Sequence, residues 1–219
     1  MHDFAAYRQN MIESQIRTNQ VTNGAVLAAF AEVPREAFVP DRLKPVAYID
    51  ESVPLGGDRY LIEPRVAARL VQALAVEPTD RALLVGAASG YMAAILSRLA
   101  AEVVALEVDR KFADEASANV RSLGLGNVTV VQGDLRLGHA DKAPYDIILC
   151  DGAVTVIPPA LSDQLAEGGR LAAVMTRADG TAGHGILSLK THGSSSHRVL
   201  FDAVTPLLPG CSPEPAFVF

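Results

Sequence analysis

The sequence predicts an α/β protein built on a doubly wound, mostly parallel sheet. Three observations carry that expectation. Residues 81–109, RALLVGAASGYMAAILSRLAAEVVALEVD, read as a strand, a tight small-residue turn, a helix and a second strand. Short apolar runs go on alternating with helical patterns up to residue 175, which implies parallel strands joined by right-handed crossovers. Two last strand patterns, 185–190 and 199–204, are joined only by the polar THGSSSHR, a connection suited to an antiparallel hairpin.

The elements follow in chain order. Residues 3–33 read as helix, with Tyr7, Met11, Ile12 and Ile16 on one face, and 24–30 continues as a second helix that Thr22 or Asn23 would cap. Pro34 ends it, since the residue before a proline is pushed out of the helical region. Residues 34–64 carry five prolines and the Gly56-Gly57 pair and read as irregular. So long a stretch, running straight into an amphipathic helix at 63–74, reads as a cap over a site rather than a linker. Residues 1–75 are thus expected to form N-terminal helices and a cap, packed on a main domain at 76–219. In that domain, strands are expected at 82–85, 103–108, 128–132, 146–150 and 170–175, and helices at 91–101, 110–123 and 158–166.

Composition narrows the function. A chain of 219 residues with 49% hydrophobic and 20% charged residues is an ordinary globule with room for a sizeable core. Nineteen Lys and Arg against 25 Asp and Glu give a net charge of −6, so no basic surface invites nucleic acid or an anionic membrane. Cys150 and Cys211 lack metal or redox spacing and fit a reducing compartment. The histidines at 2, 139, 184, 192 and 197 have no companions at ligand spacing, so no metal is expected. The opening residues do not form a signal peptide and no apolar run reaches membrane-spanning length, which makes the cytoplasm the expected location.

Ligands in open α/β sheets bind at the carboxyl ends of the strands. That rule places Gly86 to Gly90, Glu107, Asp134 and Asp151 on one rim. Gly86 and Gly90 either let the backbone approach a nucleoside or simply make a tight connection. Glu107, about 20 residues on, either accepts hydrogen bonds from a ribose or is a solvated strand-end acid; its apolar setting, VVALEVD, favours the first. Asp134 faces an adenine amino group or serves turn chemistry with Gly133. Asp151 touches the ligand, acts as a base, or makes a turn into Gly152. Cys150 reads as a packed strand cysteine. Arg35, Arg42 and Arg65 bind an anionic substrate or are solvated charges.

Between about residues 8 and 176 the chain resembles the protein-L-isoaspartate O-methyltransferase family. The resemblance rests on MIESQIRTNQV, VLAAFAEVPREAFVP, AYIDESVPLGG, GAASGYMAAIL, LGNVTVVQGD, APYDIILCDGA and IPPALSDQLAEGGRLAAV, and on their shared order. It implies a seven-stranded, Rossmann-like class I methyltransferase fold ending in the antiparallel hairpin. It implies S-adenosyl-L-methionine as cofactor and a protein or peptide substrate. The reaction implied is methyl transfer to the carboxyl of isoaspartyl residues in damaged proteins, an in-line displacement that rests on positioning and desolvation. It makes Gly86, Ala87, Ser89, Gly90, Glu107, Val108, Asp134 and Leu135 cofactor-binding residues, with Glu107 on the ribose hydroxyls and Asp134 by the adenine. Tyr60, Ile62 and Glu63 would face the substrate; Asp151 is the catalytic candidate on its strand-end position and not on the resemblance.

Several rim positions depart from the family pattern. Where the family turn is commonly acid-Ile-Gly-Thr-Gly-Ser-Gly, Leu84 replaces the acid and Ala88 the middle glycine. Where the family carries Gly-Gln-Thr-Ile-Ser-Gln-Pro, this chain has Asp58-Arg59-Tyr60-Leu61-Ile62-Glu63-Pro64, without either hydroxyl. Asp151 stands where a small or hydroxylated residue is usual. The alternatives to the family reaction are therefore a methyltransferase with another acceptor and a catalytically impaired homologue that binds a cofactor or a partner.

Overall fold

The computed structural model describes residues 3–177 and 182–212; His2 lies outside them. Helix α1, Phe4–Met11, is capped by Asp3, whose carboxylate accepts the Ala6 N–H. It continues as a π-turn over Ile12–Ile16 and a 3-10 turn over Arg17–Asn19, and stops where Gln20 takes φ +66. That break separates α1 from the second helix, expected over 24–30. Helix α2, Gly24–Glu32, begins at Asn23, which accepts the N–H groups of Ala25 and Val26 and so satisfies two orphan donors.

The stretch expected to be irregular contains two 3-10 turns, Arg35–Phe38 and Asp41–Val46, and then a hairpin of β1, Val53–Gly56, and β2, Arg59–Leu61. Gly57 and Asp58 form its two-residue loop, both with positive φ (+55 and +56). This is the turn that matches the twist of paired strands and demands residues tolerant of left-handed backbone. Helix α3, Pro64–Leu74, follows with proline in its first turn, where a missing N–H costs nothing.

The main sheet comprises β3 (Arg81–Val85), β4 (Glu102–Glu107), β5 (Val128–Gln132), β6 (Tyr145–Val154), β7 (Leu165–Thr176), β8 (Gly183–Thr191) and β9 (Ser194–Asp202). Its order is β5-β4-β3-β6-β7-β8-β9, parallel through β7 and antiparallel at β8 and β9. This is the doubly wound, seven-stranded arrangement expected. The order reverses between β3 and β6, which makes the carboxyl ends there the switch point at which doubly wound sheets take ligands. Helices α4 (Tyr91–Ser97), α5 (Arg110–Ser122) and α6 (Pro159–Asp163) make the crossovers.

Successive strand residues face opposite sides, so the sheet separates two apolar clusters. Leu84 joins one with Phe30, Leu70 and Ile95; Leu83 and Val85 join the other with Ile148, Leu161 and Leu208. The first cluster unites the N-terminal helices with the sheet.

Several expected boundaries move, among them that of the helix at 91–101, which ends at Ser97. The helix at 158–166 shortens to five residues because β7 already begins at Leu165. The terminal hairpin turns at His192-Gly193, with φ +51 and +74, so most of the polar connection is edge strand. β6 does not close at Asp151-Gly152 but runs on to Val154, its last two residues paired with Val174 and Met175 of β7.

Candidate functional site

The site is the rim formed by the ends of β3, β4 and β6. Leaving β3, the chain folds back onto β4: the N–H groups of Gly86 and Ala87 both donate to the Leu106 carbonyl at 2.9 Å. Gly86, Ala88 and Gly90 have φ of +88, +47 and +95. Ala88 thus occupies a conformation that favours glycine, at a cost on the order of 1 kcal/mol. Gly90 seats α4 against α5: a Cβ there would lie 3.3 Å from the Ala116 Cα.

Glu107 is wholly buried and every acceptor direction is taken. Oε1 accepts the N–H groups of Val108 (2.9 Å) and Asp109 (3.1 Å). Oε2 accepts the Ala88 N–H at 2.7 Å, and Arg59 Nε and Nη2 at 3.2 and 2.9 Å. Arg59, 3% exposed, is a residue the sequence reading passed over. Its only signal is a lone cation in a hairpin whose neighbours turn inward. Buried charges are paired or expelled, and Glu107 supplies the partner.

Asp151 lies inside β6, 3% exposed, with no partner for Oδ1, and not in the turn considered for it. Burial pushes its carboxyl up to about 7, against the opposing pull of Arg59 and Arg35 and with help from Glu107. Half protonated near neutrality, it has the character of a tuned acid or base. Asp134 is held below the usual carboxylate range by Arg136, whose side chain and N–H both donate to it.

The other expected residues divide. Ser89 turns its hydroxyl to the Phe38 carbonyl (2.7 Å), tying the turn to the cap. Ala87 and Leu135 are buried, whereas Val108 is partly exposed. Tyr60 lines a cavity of about 500 Å³ with Asp58, Pro206 and Leu207. Ile62 is core, offering only its carbonyl, to Arg35 Nη2 at 2.8 Å. Glu63 precedes α3 without capping it and lines a cavity of about 410 Å³ with Ser52 and Thr205. Arg35 is neither solvated nor open to a substrate. It is 1% exposed, donates to the Ala47 carbonyl at 2.7 Å and stacks 4.9 Å from the Tyr91 ring centroid. Arg65 pairs with Asp50 at 3.5 Å, and Arg42 is exposed. Cys150 is packed, its thiol pushed up by burial. Among the described residues no group of three His, Cys, Asp or Glu could hold a metal.

The turn and Glu107 stand at the switch point where doubly wound sheets take nucleosides, and the space above them is filled. A Cβ at Gly86 would meet Leu208 Cδ2 at 2.5 Å and Arg59 Nη2 at 3.0 Å; one at Gly152 would meet Leu208 Cδ2 at 2.8 Å. Leu208 arrives on residues 203–212, which run beside the end of β6. The Ala153 N–H donates to Pro206, and Leu208 N–H to Ala153, both at 2.8 Å, and Cys211 accepts from Thr155 at 3.4 Å. A parallel bridge joins Ala153 to Leu207. β6 itself outlasts its expected end because, past an irregularity after Leu149, Ala153 and Val154 pair with Val174 and Met175 of β7. Leu208 and Arg59 thus lie directly against the backbone of the turn.

The family model described as "Protein-L-isoaspartate(D-aspartate) O-methyltransferase (PCMT)" matches residues 6–182. A protein-L-isoaspartate O-methyltransferase 1 of Rhodopseudomonas palustris is 42% identical over 77% of this chain and 69% of its own. One of Methanoregula boonei is 41% identical over 85% of each chain. Among solved structures, a protein-L-isoaspartate O-methyltransferase superposes with a TM-score of 0.80 at 25% identity, over 94% of this chain and 67% of its own.

Proposed function

Because the chain belongs to the protein-L-isoaspartate O-methyltransferase family, we propose that it transfers a methyl group from S-adenosylmethionine to the carboxyl of isoaspartyl residues in damaged proteins. S-adenosylmethionine is the cofactor that membership brings. The observation that carries the reading within the structure is the juncture of turn and acid. Glu107 Oε2 stands 2.7 Å from the Ala88 N–H, at the crevice where doubly wound sheets take nucleosides. In the proposed roles, Gly86, Ala87, Ser89 and Gly90 shape the methionine end, Glu107 and Val108 the ribose end, and Asp134 and Leu135 the adenine end. Tyr60 and Glu63 flank the approach of the protein substrate. An absence of nucleic-acid partners agrees with the charge balance, and the cytoplasm with the two free cysteines; no described helix is long and apolar enough to cross a membrane.

Asp151 favours a second reading, a methyltransferase for a different acceptor. A carboxylate beside the methyl-transfer site repels a carboxylate substrate, whereas a carboxyl poised near neutrality can take a proton from an amine or alcohol. Purified protein with S-adenosylmethionine and either an isoaspartyl peptide or its aspartyl counterpart separates the two. S-adenosylhomocysteine released with the isoaspartyl peptide alone is the expected result. Release independent of that linkage moves the assignment to the second reading, and a folded protein whose opened cleft binds no cofactor ends both.

A further inference from the structure

We propose that residues 203–212, together with Arg59, are an internal occupant of the cofactor cleft that must move out before S-adenosylmethionine can enter. The proposal rests on the methyltransferase reading and adds a control to the same site. Two separate parts of the chain fill the cleft, each by matching a feature of a nucleoside ligand. Leu208 lays an apolar group on the backbone of Gly86 and Gly152, where glycine leaves room for close approach by a ligand. Arg59 presents two N–H donors, at 3.2 and 2.9 Å, to the Glu107 oxygen that a pair of ribose hydroxyls would otherwise address. The cradle is thereby satisfied without a ligand.

The occupant is held in a manner that allows release. Residues 206–211 lie along β6 through backbone bonds at Ala153 and Thr155, and only the one bridge, Ala153 to Leu207, is a strand pairing. Pro206 and Pro209 have no N–H to add a further bond. The Thr205 hydroxyl is buried without a partner, so the segment enters the cleft with a polar group unsatisfied. Arg59 follows the Gly57-Asp58 turn at the tip of a short hairpin, and Tyr60 next to it shares a cavity of about 500 Å³ with Pro206 and Leu207. Hairpin and segment therefore flank one space and can separate across it. A ligand that binds only the open form has its apparent affinity reduced by the open fraction, so a cleft open about 1% of the time weakens binding about a hundredfold.

The test uses the full chain and S-adenosylhomocysteine as probe. Calorimetric titration compares the native protein with Leu208→Gly, which lacks the side chain that lies over Gly86 and Gly152. Amide hydrogen exchange on the native protein follows the N–H groups of Leu208 and Ala153 with and without the probe. Binding at least about tenfold tighter in the variant, and loss of protection at Leu208 and Ala153 when the native protein is saturated, are expected. Equal affinities with both amides still protected in the bound native protein would overturn the occupant while leaving the methyltransferase reading intact. No binding to either protein, with the segment shown by exchange to be released in the variant, would overturn both. Should the variant fail to fold, the exchange comparison on the native protein decides alone.

Discussion

Arg59 Nη2 stands 2.9 Å from Glu107 Oε2, with 3% and 0% of the two side chains exposed, and this pair joins the cap hairpin to the end of β4. A buried pair returns little net stability, because desolvating both ions offsets their attraction; removing one partner is costly, because the other remains charged in a dry site. Arg59→Met should therefore lower stability by about 3–5 kcal/mol in urea unfolding. Adding Glu107→Gln should restore most of that loss. Additive losses in the double variant would show that the two side chains do not act as a pair.

Asp151 should leave a pH signature. Its folded-state carboxyl is raised from 3.8 to about 7. Between those values the folded chain binds a proton that the unfolded chain has released, so stability falls as pH rises through this window and levels off above it. Asp151→Asn removes the titration. The variant should match the native protein near pH 4 and exceed it above pH 7 by roughly 4 kcal/mol, with Arg35, Arg59, Glu107 and Tyr91 the charged and titratable groups that face the position. A stability difference independent of pH would refute the shift.

Most of the scaffold was legible. Val128–Gln132 coincides with the expected strand, and the other parallel strands differ only at their ends, because buried parallel strands are written as unbroken apolar runs. The rim was legible too, since strand direction and crossover hand leave no other place for Gly86, Glu107 and Asp151. The closure of the rim was not. Arg59 and Glu107 are 48 residues apart, and Pro206-Leu207-Leu208-Pro209 has neither helical nor strand period, so nothing local says that it returns to Gly86. The end of β6 was misplaced because the irregularity at Asp151-Gly152 reads as a turn, whereas Ala153 and Val154 resume pairing with β7 beyond it. The β1–β2 hairpin was readable in principle from Gly57-Asp58, but strands of four and three residues give almost no pattern.

Arg35 holds the cap together. It donates to the carbonyls of Ala47 and Ile62, 12 and 27 residues away, and covers the Tyr91 ring. Arg35→Met keeps much of the volume but leaves two buried carbonyls unsatisfied, at about 1–3 kcal/mol each. Arg35→Lys offers donors without the planar fork and should recover only part. Both variants should unfold earlier in urea, lysine less so; a native-like midpoint for methionine would mean that those carbonyls find other donors.

Gly90 carries the hinge between the turn and α4, and two independent costs meet there. Its φ of +95 is a conformation that a side chain strains to adopt, at about 1–2 kcal/mol. An added methyl would also press within 3.3 Å of both the Cα and the Cβ of Ala116, which belong to the body of α5 and cannot swing aside as a side-chain tip can. Overpacking of that kind adds about 1–3 kcal/mol. Gly90→Ala should therefore destabilise by about 2–5 kcal/mol, the sum of the two ranges. Ala88→Gly, two residues earlier, should stay within about 1 kcal/mol of the native protein, because relief of the positive φ at Ala88 is balanced by the loss of one fully buried methyl. Thermal or urea unfolding of the two variants side by side tests the contrast. Equal effects would mean that backbone strain and close helix contact do not set the shape of this turn.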